Sequence, residues 1–119
     1  MSSDKLRVLF ICARNQWRSP TAEQVFWRRP GLSVRSAGTS PKARKRVQER
    51  DLLWADVVLV MEQRHREQLR QRFGRAARDV PVQVLGIPDD YKAGDPELVA
   101  ILEDVVPPVL RRLGWDDPQ

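Results

Sequence analysis

The chain has 119 residues, 41% hydrophobic and 31% charged, with a formal net charge of +5. This is the profile of a folded domain rather than a disordered chain, and the length suits one domain over residues 1–119. No apolar stretch approaches the ~20 residues of a membrane helix, and Val8 to Cys12, behind the polar Met1-Ser2-Ser3-Asp4-Lys5, is too short for a signal-peptide core; a cytoplasmic protein without a membrane partner is expected.

Arg7 to Ile11 is a short apolar run of the length and composition of a buried strand. Ser19-Pro20 reads as a helix start, with Ser19 at the N-cap and Pro20 at the first helical position. Arg28-Arg29-Pro30-Gly31 stops that helix. Leu32 to Ala37 alternates as a second strand, and Gly38-Thr39-Ser40-Pro41 turns the chain. A short helix is expected over Val47 to Trp54, followed by a buried strand over Asp56 to Met61. Glu62 to Phe73 has helical period and ends at Gly74. Val82 to Ile87 is read as the fourth strand, and Pro88 to Gly94 as a loop. The last helix starts near Asp95-Pro96, with Pro107-Pro108 expected to kink or split it.

Strands that alternate with helices predict an α/β three-layer sandwich, a central four-stranded parallel sheet with helices on both faces. Ligands bind such sheets beyond the carboxyl ends of the strands. Cys12 and the Pro88–Tyr91 segment both fall on that rim.

Charge is uneven along the chain. Residues 1–50 carry a net +9 and residues 51–119 a net −4. The basic half suggests an anionic partner, although a solvated surface explains most Lys/Arg-rich stretches. Lys42, Arg44, Lys45 and Arg46 are candidates for attracting an anionic substrate. Arg64, Arg66, Arg70, Arg72, Arg75 and Arg78 read as a solvated helix face and its exit, and a nucleic-acid partner is disfavoured. Cys12 is the single cysteine, and with His65 it offers too few soft ligands for a structural zinc site. His65 lies on an apolar stripe and reads as structural. A lone cysteine is either a small buried residue or a nucleophile, and its neighbours must decide.

Those neighbours are Ala13, Arg14, Asn15, Gln16, Trp17, Arg18 and Ser19, set between a strand and a helix start. Amides of a tight loop can cradle an oxyanion, and the helix adds its positive end. Arg18 can offer a planar fork to two oxygens of a tetrahedral anion. The same positive field would keep Cys12 as a thiolate. Ser19 could donate to that sulfur, and Asn15 tolerates left-handed backbone angles.

From Val8-Leu9-Phe10-Ile11-Cys12 through Arg18-Ser19-Pro20-Thr21-Ala22-Glu23, the sequence resembles the low-molecular-weight protein tyrosine phosphatases. Ser36-Ala37-Gly38-Thr39, Ala55 to Glu62, and Ile87-Pro88-Asp89-Asp90-Tyr91 resemble later family segments in the family's order. The resemblance implies a cytoplasmic phosphomonoesterase acting on a phosphorylated protein or a small phosphate ester and releasing inorganic phosphate. It implies catalysis through a phosphocysteine, with Cys12 as nucleophile, Arg18 as anion binder and no cofactor or metal. Asp89 matches the family's general acid. Asp90, standing where the family has proline, is a rival, and Asp95 is a third candidate that also suits a helix cap. Tyr91 either flanks an aromatic substrate or packs as a half-buried loop residue.

Three departures stand out. Arg14 replaces a glycine and either narrows the site or adds a second cation. Trp17 replaces a cysteine and either lines the pocket mouth or packs on the surface. The chain is also short between Thr39 and Asp56. An oxyanion-binding module with little turnover is therefore the competing expectation. Arsenate reduction on the same scaffold would need an external thiol.

Overall fold

The computed structural model describes residues 5–116; the polar Met1–Asp4 segment read above lies outside the described residues, as do residues 117–119. Four strands, β1 (Leu6–Cys12), β2 (Leu32–Gly38), β3 (Val57–Val60) and β4 (Val82–Val84), form one sheet in the order β2-β1-β3-β4. Every pairing is parallel, and the register sets Cys12 beside Gly38 and Ile11 beside Val60. Five helices join and flank the strands: α1 (Arg18–Phe26), α2 (Glu49–Trp54), α3 (Gln63–Phe73), α4 (Arg75–Arg78) and α5 (Pro96–Arg112). This is the predicted three-layer α/β sandwich.

The alternation of β1 builds both cores. Val8 and Phe10 pack with Phe26 of α1 and with Leu98 and Leu102 of α5. Leu9 and Ile11 pack on the other face with Leu52 of α2, Leu69 of α3 and Ala77 of α4. Val8 to Cys12 is consequently buried without interruption, as expected for a central parallel strand covered on both sides. Among the described residues, no helix is long and apolar enough to cross a membrane.

Beyond one-residue differences at the ends of β1, β2, β3 and α3, the elements depart from the sequence reading in five places. First, α1 begins at Arg18, and Trp17, not Ser19, occupies the N-cap. Ser19 is thus inside the first turn, and its hydroxyl turns to Cys12. Pro20 remains compatible because the first-turn amides have no intrahelical acceptor.

Second, α2 starts at Glu49 rather than Val47, behind a capping box made by Gln48 and Asp51. Val47 lies before the helix and donates its N–H to the Gly38 carbonyl, while the Gly38 N–H bonds the Lys45 carbonyl. Third, Gly74 (φ 55°) ends α3 as expected, but the chain then turns once more as α4 and buries Ala77.

Fourth, β4 stops at Val84 because Gly86 adopts φ 74°. The N–H groups of Leu85 and Ile87 nevertheless bond the Val60 and Met61 carbonyls. The chain is thereby carried along the rim to Pro88 and Asp89. Fifth, α5 is not split at Pro107-Pro108. Its buried face, from Leu98 to Leu110, spans the prolines, and that burial offsets the missing N–H donors.

Candidate active site

The loop from Cys12 to Arg18 leaves the carboxyl end of β1 and feeds the start of α1. Its carbonyls are claimed in succession by the chain after β2. The N–H groups of Thr39, Ser40 and Arg44 bond the carbonyls of Cys12, Ala13 and Arg14 at 3.0, 2.8 and 2.9 Å. Arg44 Nε bonds the Asn15 carbonyl at 3.1 Å. In a trans peptide the following N–H points opposite the carbonyl, so the amides of Ala13 to Gln16 are turned to the other side of the loop. That geometry is what an oxyanion cradle requires. It depends on Gly38, because a Cβ there would lie 2.5 Å from the Ala13 carbonyl oxygen and 2.9 Å from the Asn15 nitrogen.

Asn15 holds the loop from inside. It is fully buried with φ 53°, a conformation that asparagine adopts more readily than most residues. Its Nδ2 donates to Ser19 Oγ and to Ser36 Oγ, each at 2.9 Å. Ser36 in turn donates to the Glu23 carboxylate. Ser19 Oγ lies 2.9 Å from Cys12 Sγ and 3.4 Å from the Ala37 carbonyl. With Asn15 donating into Ser19, the serine proton is free to point at the sulfur, which suits a thiolate.

Arg18 is almost wholly buried. Its Nη1 donates to Glu62 Oε1 at 2.9 Å and to the Ile87 carbonyl at 2.8 Å. Its Nε lies 3.5 Å from Asp89 Oδ1. Glu62 is also bonded by Arg64 through Nε and Nη2. Burial raises the Glu62 carboxyl, but the hydrogen bonds and charges of Arg18 and Arg64 outweigh it, and Glu62 titrates below the usual carboxylate range. It stays ionised and fixes one edge of the Arg18 guanidinium.

His65 supports this carboxylate from below. Its Nδ1 accepts the Glu62 N–H at 3.0 Å, in a capping box at the start of α3. Burial, then the charges of Arg18 and Arg64, push its pKa down to about 4, against a smaller upward pull from Glu62 and Asp89. Folded His65 is therefore neutral where an unfolded histidine would protonate. Its contribution to stability is intact above pH 6.5 and is lost as pH falls from 6.5 towards 4, by up to roughly 3 kcal/mol. Urea unfolding of wild type and His65→Gln, at about pH 7.5 and 4.5, checks this: the variant should lose less stability across that window.

A cavity of about 400 Å³ opens over the sulfur. Ala13, Arg14, Gln16 and Trp17 line it with Cys12 and Arg18, and Asp89 and Arg64 complete the wall. Arg14 and Trp17 thus stand at the mouth without closing it. Of the three candidate acids, only Asp89 reaches this cavity. Asp90 is exposed outside it. Asp95 caps α5, its Oδ1 accepting the Glu97 N–H at 2.9 Å. Tyr91 packs half-buried against the core rather than lining the cavity. The end of the loop is tied to α1, because Thr21 Oγ1 accepts the Gly94 N–H at 3.0 Å and donates to the Trp17 carbonyl at 2.6 Å.

One sequence reading is corrected here. Arg64 is not simply part of a solvated face, since it lines the cavity and shares Glu62 with Arg18. Lys42, Arg44, Lys45 and Arg46 do not line the cavity, and Arg44 braces the loop from outside. Glu62 and Thr21 were not recognised as parts of the site. The available signal for Glu62 was an acidic residue directly after a buried strand, on the same rim as Cys12.

No family model matches the sequence, and no curated protein matches it. Solved structures do match in shape: the chain has the α/β fold of the low-molecular-weight protein tyrosine phosphatases. SP-PTP, the low-molecular-weight protein tyrosine phosphatase of Streptococcus pyogenes, aligns with a TM-score of 0.77 at 19% identity, over 93% of this chain and 95% of its own. The tyrosine phosphatase Wzb of Escherichia coli, crystallised with phosphate, aligns with a TM-score of 0.74 at 24% identity, over 91% and 98%. The YwlE arginine phosphatase of Geobacillus stearothermophilus aligns with a TM-score of 0.66 at 23% identity, over 91% and 90%. The likeness is one of fold.

Proposed function

We propose that this chain is a cysteine-dependent phosphomonoesterase working through a phosphocysteine. The observation that carries the reading is a convergence on one cavity. The Cys12 sulfur, the Arg18 guanidinium and the Asp89 carboxyl come from segments far apart in sequence, and the outward-facing loop carbonyls turn the intervening amides inward.

The Cys12 thiolate attacks phosphorus in line; the S–P bond forms as the bond to the leaving oxygen breaks. Protonated Asp89 gives its proton to that oxygen. The loop amides and the Nε–Nη2 edge of Arg18, which Asp89 approaches at 3.5 Å, stabilise the equatorial oxygens of the transferring group. Water then attacks phosphorus, Asp89 takes its proton, and the S–P bond breaks to release phosphate. Ser19 stabilises the departing thiolate through its hydroxyl. Charge neutralisation comes from Arg18 and the amides.

Wzb is a tyrosine phosphatase and YwlE an arginine phosphatase. Arg14 and Arg64 at this cavity mouth disfavour a cationic leaving group. The substrate is therefore a phosphate ester of a hydroxyl, phosphotyrosine or a similar ester, rather than phosphoarginine.

An aryl phosphate assay on two variants tests the acid. Asp89→Ala should lower kcat by roughly 10²–10⁴, while Asp90→Ala should stay near wild type. The reverse ranking would transfer the role to Asp90.

A second reading has a specific observation behind it. Asp89, the acid that turnover needs, is an ion-pair partner of Arg18 at 3.5 Å, which suits a site that binds an oxyanion without turning a substrate over. Stoichiometric phosphate binding with no hydrolysis of any aryl phosphate would select it.

A further inference from the structure

The space beside Cys12 does not end at the phosphate loop. A second cavity of about 530 Å³ shares Ala13, Arg14 and Arg64 with the first and extends along α3 to Arg72. Its remaining wall is polar apart from Pro41, with Thr39 and Ser40 beside that proline and Gln68 and Gln71 on α3. Three guanidinium groups line it, and no carboxylate or aromatic ring does.

Those charges are poorly compensated. Among the described residues, no carboxylate forms an ion pair with Arg14 or Arg72. Arg64 has Glu62, but Glu62 is shared with Arg18. Burial, and then the like charge of Arg46, lower the pKa of Arg72. Arg14, Arg64 and Arg72 are exposed along one open groove, where like charges repel one another and a bound anion relieves that repulsion. Arg72 also lies over the Phe73 ring, 4.6 Å from its centroid, which positions the guanidinium without neutralising it.

We propose that this second cavity is a leaving-group subsite that takes a carboxylate or phosphate carried by the substrate beside the phosphoryl group being transferred. The proposal rests on the phosphatase reading and narrows it. The preferred substrate is an acidic, hydrophilic phosphate ester. The amides and hydroxyls of the wall hold its polar frame, and Arg14, Arg64 and Arg72 hold its second charge. An apolar aryl leaving group gains nothing there.

Binding to the Cys12→Ser protein tests this separately from turnover. Two matched pairs of ligands serve. One is a phosphotyrosyl peptide with flanking glutamates against the same peptide with glutamines. The other is carboxyphenyl phosphate against phenyl phosphate. The acidic member should bind roughly tenfold tighter at low ionic strength, with the margin shrinking as salt is added. Adding Arg72→Gln should cut the margin to about a third or less, Arg14 and Arg64 remaining, and adding Arg72→Lys should retain most of it. Preference in the peptide pair alone points to a polypeptide substrate, and preference in both pairs shows that a small ester suffices; either supports the subsite. Equal binding within both pairs, or a preference unchanged by Arg72→Gln, overturns it. Failure of the wild-type protein to hydrolyse any of the four would instead count against the phosphatase reading and leave the subsite to be judged on these affinities.

Discussion

Cys12→Ser is expected to lower turnover of any phosphate ester by ~10⁴-fold or more while leaving phosphate binding in place. The hydroxyl is a far weaker nucleophile than a thiolate, and Asp89, which must give its proton to the leaving oxygen, cannot also serve as its base. Ser19 is already engaged by Asn15, and His65 lies behind Glu62 with its Nδ1 committed to a backbone N–H. The amides and Arg18 are untouched by the change, so the oxyanion still has its donors. Turnover of 4-nitrophenyl phosphate, with phosphate binding by calorimetry on the same protein, separates the two properties. Loss of both together would mean that the substitution had disturbed the loop rather than the chemistry.

Arg18→Ala is expected to remove both properties. It deletes the fork facing the anion, and loss of transition-state charge stabilisation of this kind costs roughly 10²–10³ in kcat for one donor and more for a guanidinium. It also strips Glu62 and Asp89 of their shared cation, so two carboxylates would face an incoming phosphate. Phosphate binding should fall below detection at millimolar concentration. Arg18→Lys should recover only part of either property, because an ammonium cannot hold Glu62 and the Ile87 carbonyl while presenting two parallel donors. Near-normal kinetics in either variant would remove Arg18 from the mechanism.

The layers of the fold were legible because burial leaves a periodic mark. Val8 to Cys12 and Val57 to Val60 read as continuous apolar runs, and they are strands covered on both faces. Element ends were less legible, since they depend on tertiary partners. Ser19 looks like an N-cap in isolation, and it loses that place because Cys12 and Asn15 compete for its hydroxyl. Pro107-Pro108 looks like a break, but the face of α5 that covers the sheet runs through it.

The site divides in the same way. The loop from Cys12 to Ser19 is contiguous, so its residue types and spacing could be read directly. The partners of Arg18 could not. Glu62 is 44 residues away and Ile87 69, and they meet Arg18 only because parallel strands end on one rim. The donors that turn the loop carbonyls outward are backbone groups of Thr39, Ser40 and Arg44, and no side-chain pattern reports them. The position of Asp89 over the cavity likewise follows from the course of the chain past Gly86 along β3.

The central claim is that Cys12 itself carries the phosphoryl group. Trapping that intermediate is the direct measurement. In Asp89→Asn the nitrophenolate of 4-nitrophenyl phosphate can leave without a proton, whereas the hydrolysis step lacks its base, so the intermediate should accumulate. Acid quenching after mixing, followed by mass spectrometry of the Cys12 peptide, should find one phosphoryl group on the sulfur, approaching one per chain. Continued turnover with an unmodified Cys12, or a phosphoryl group on any other residue, would contradict the account.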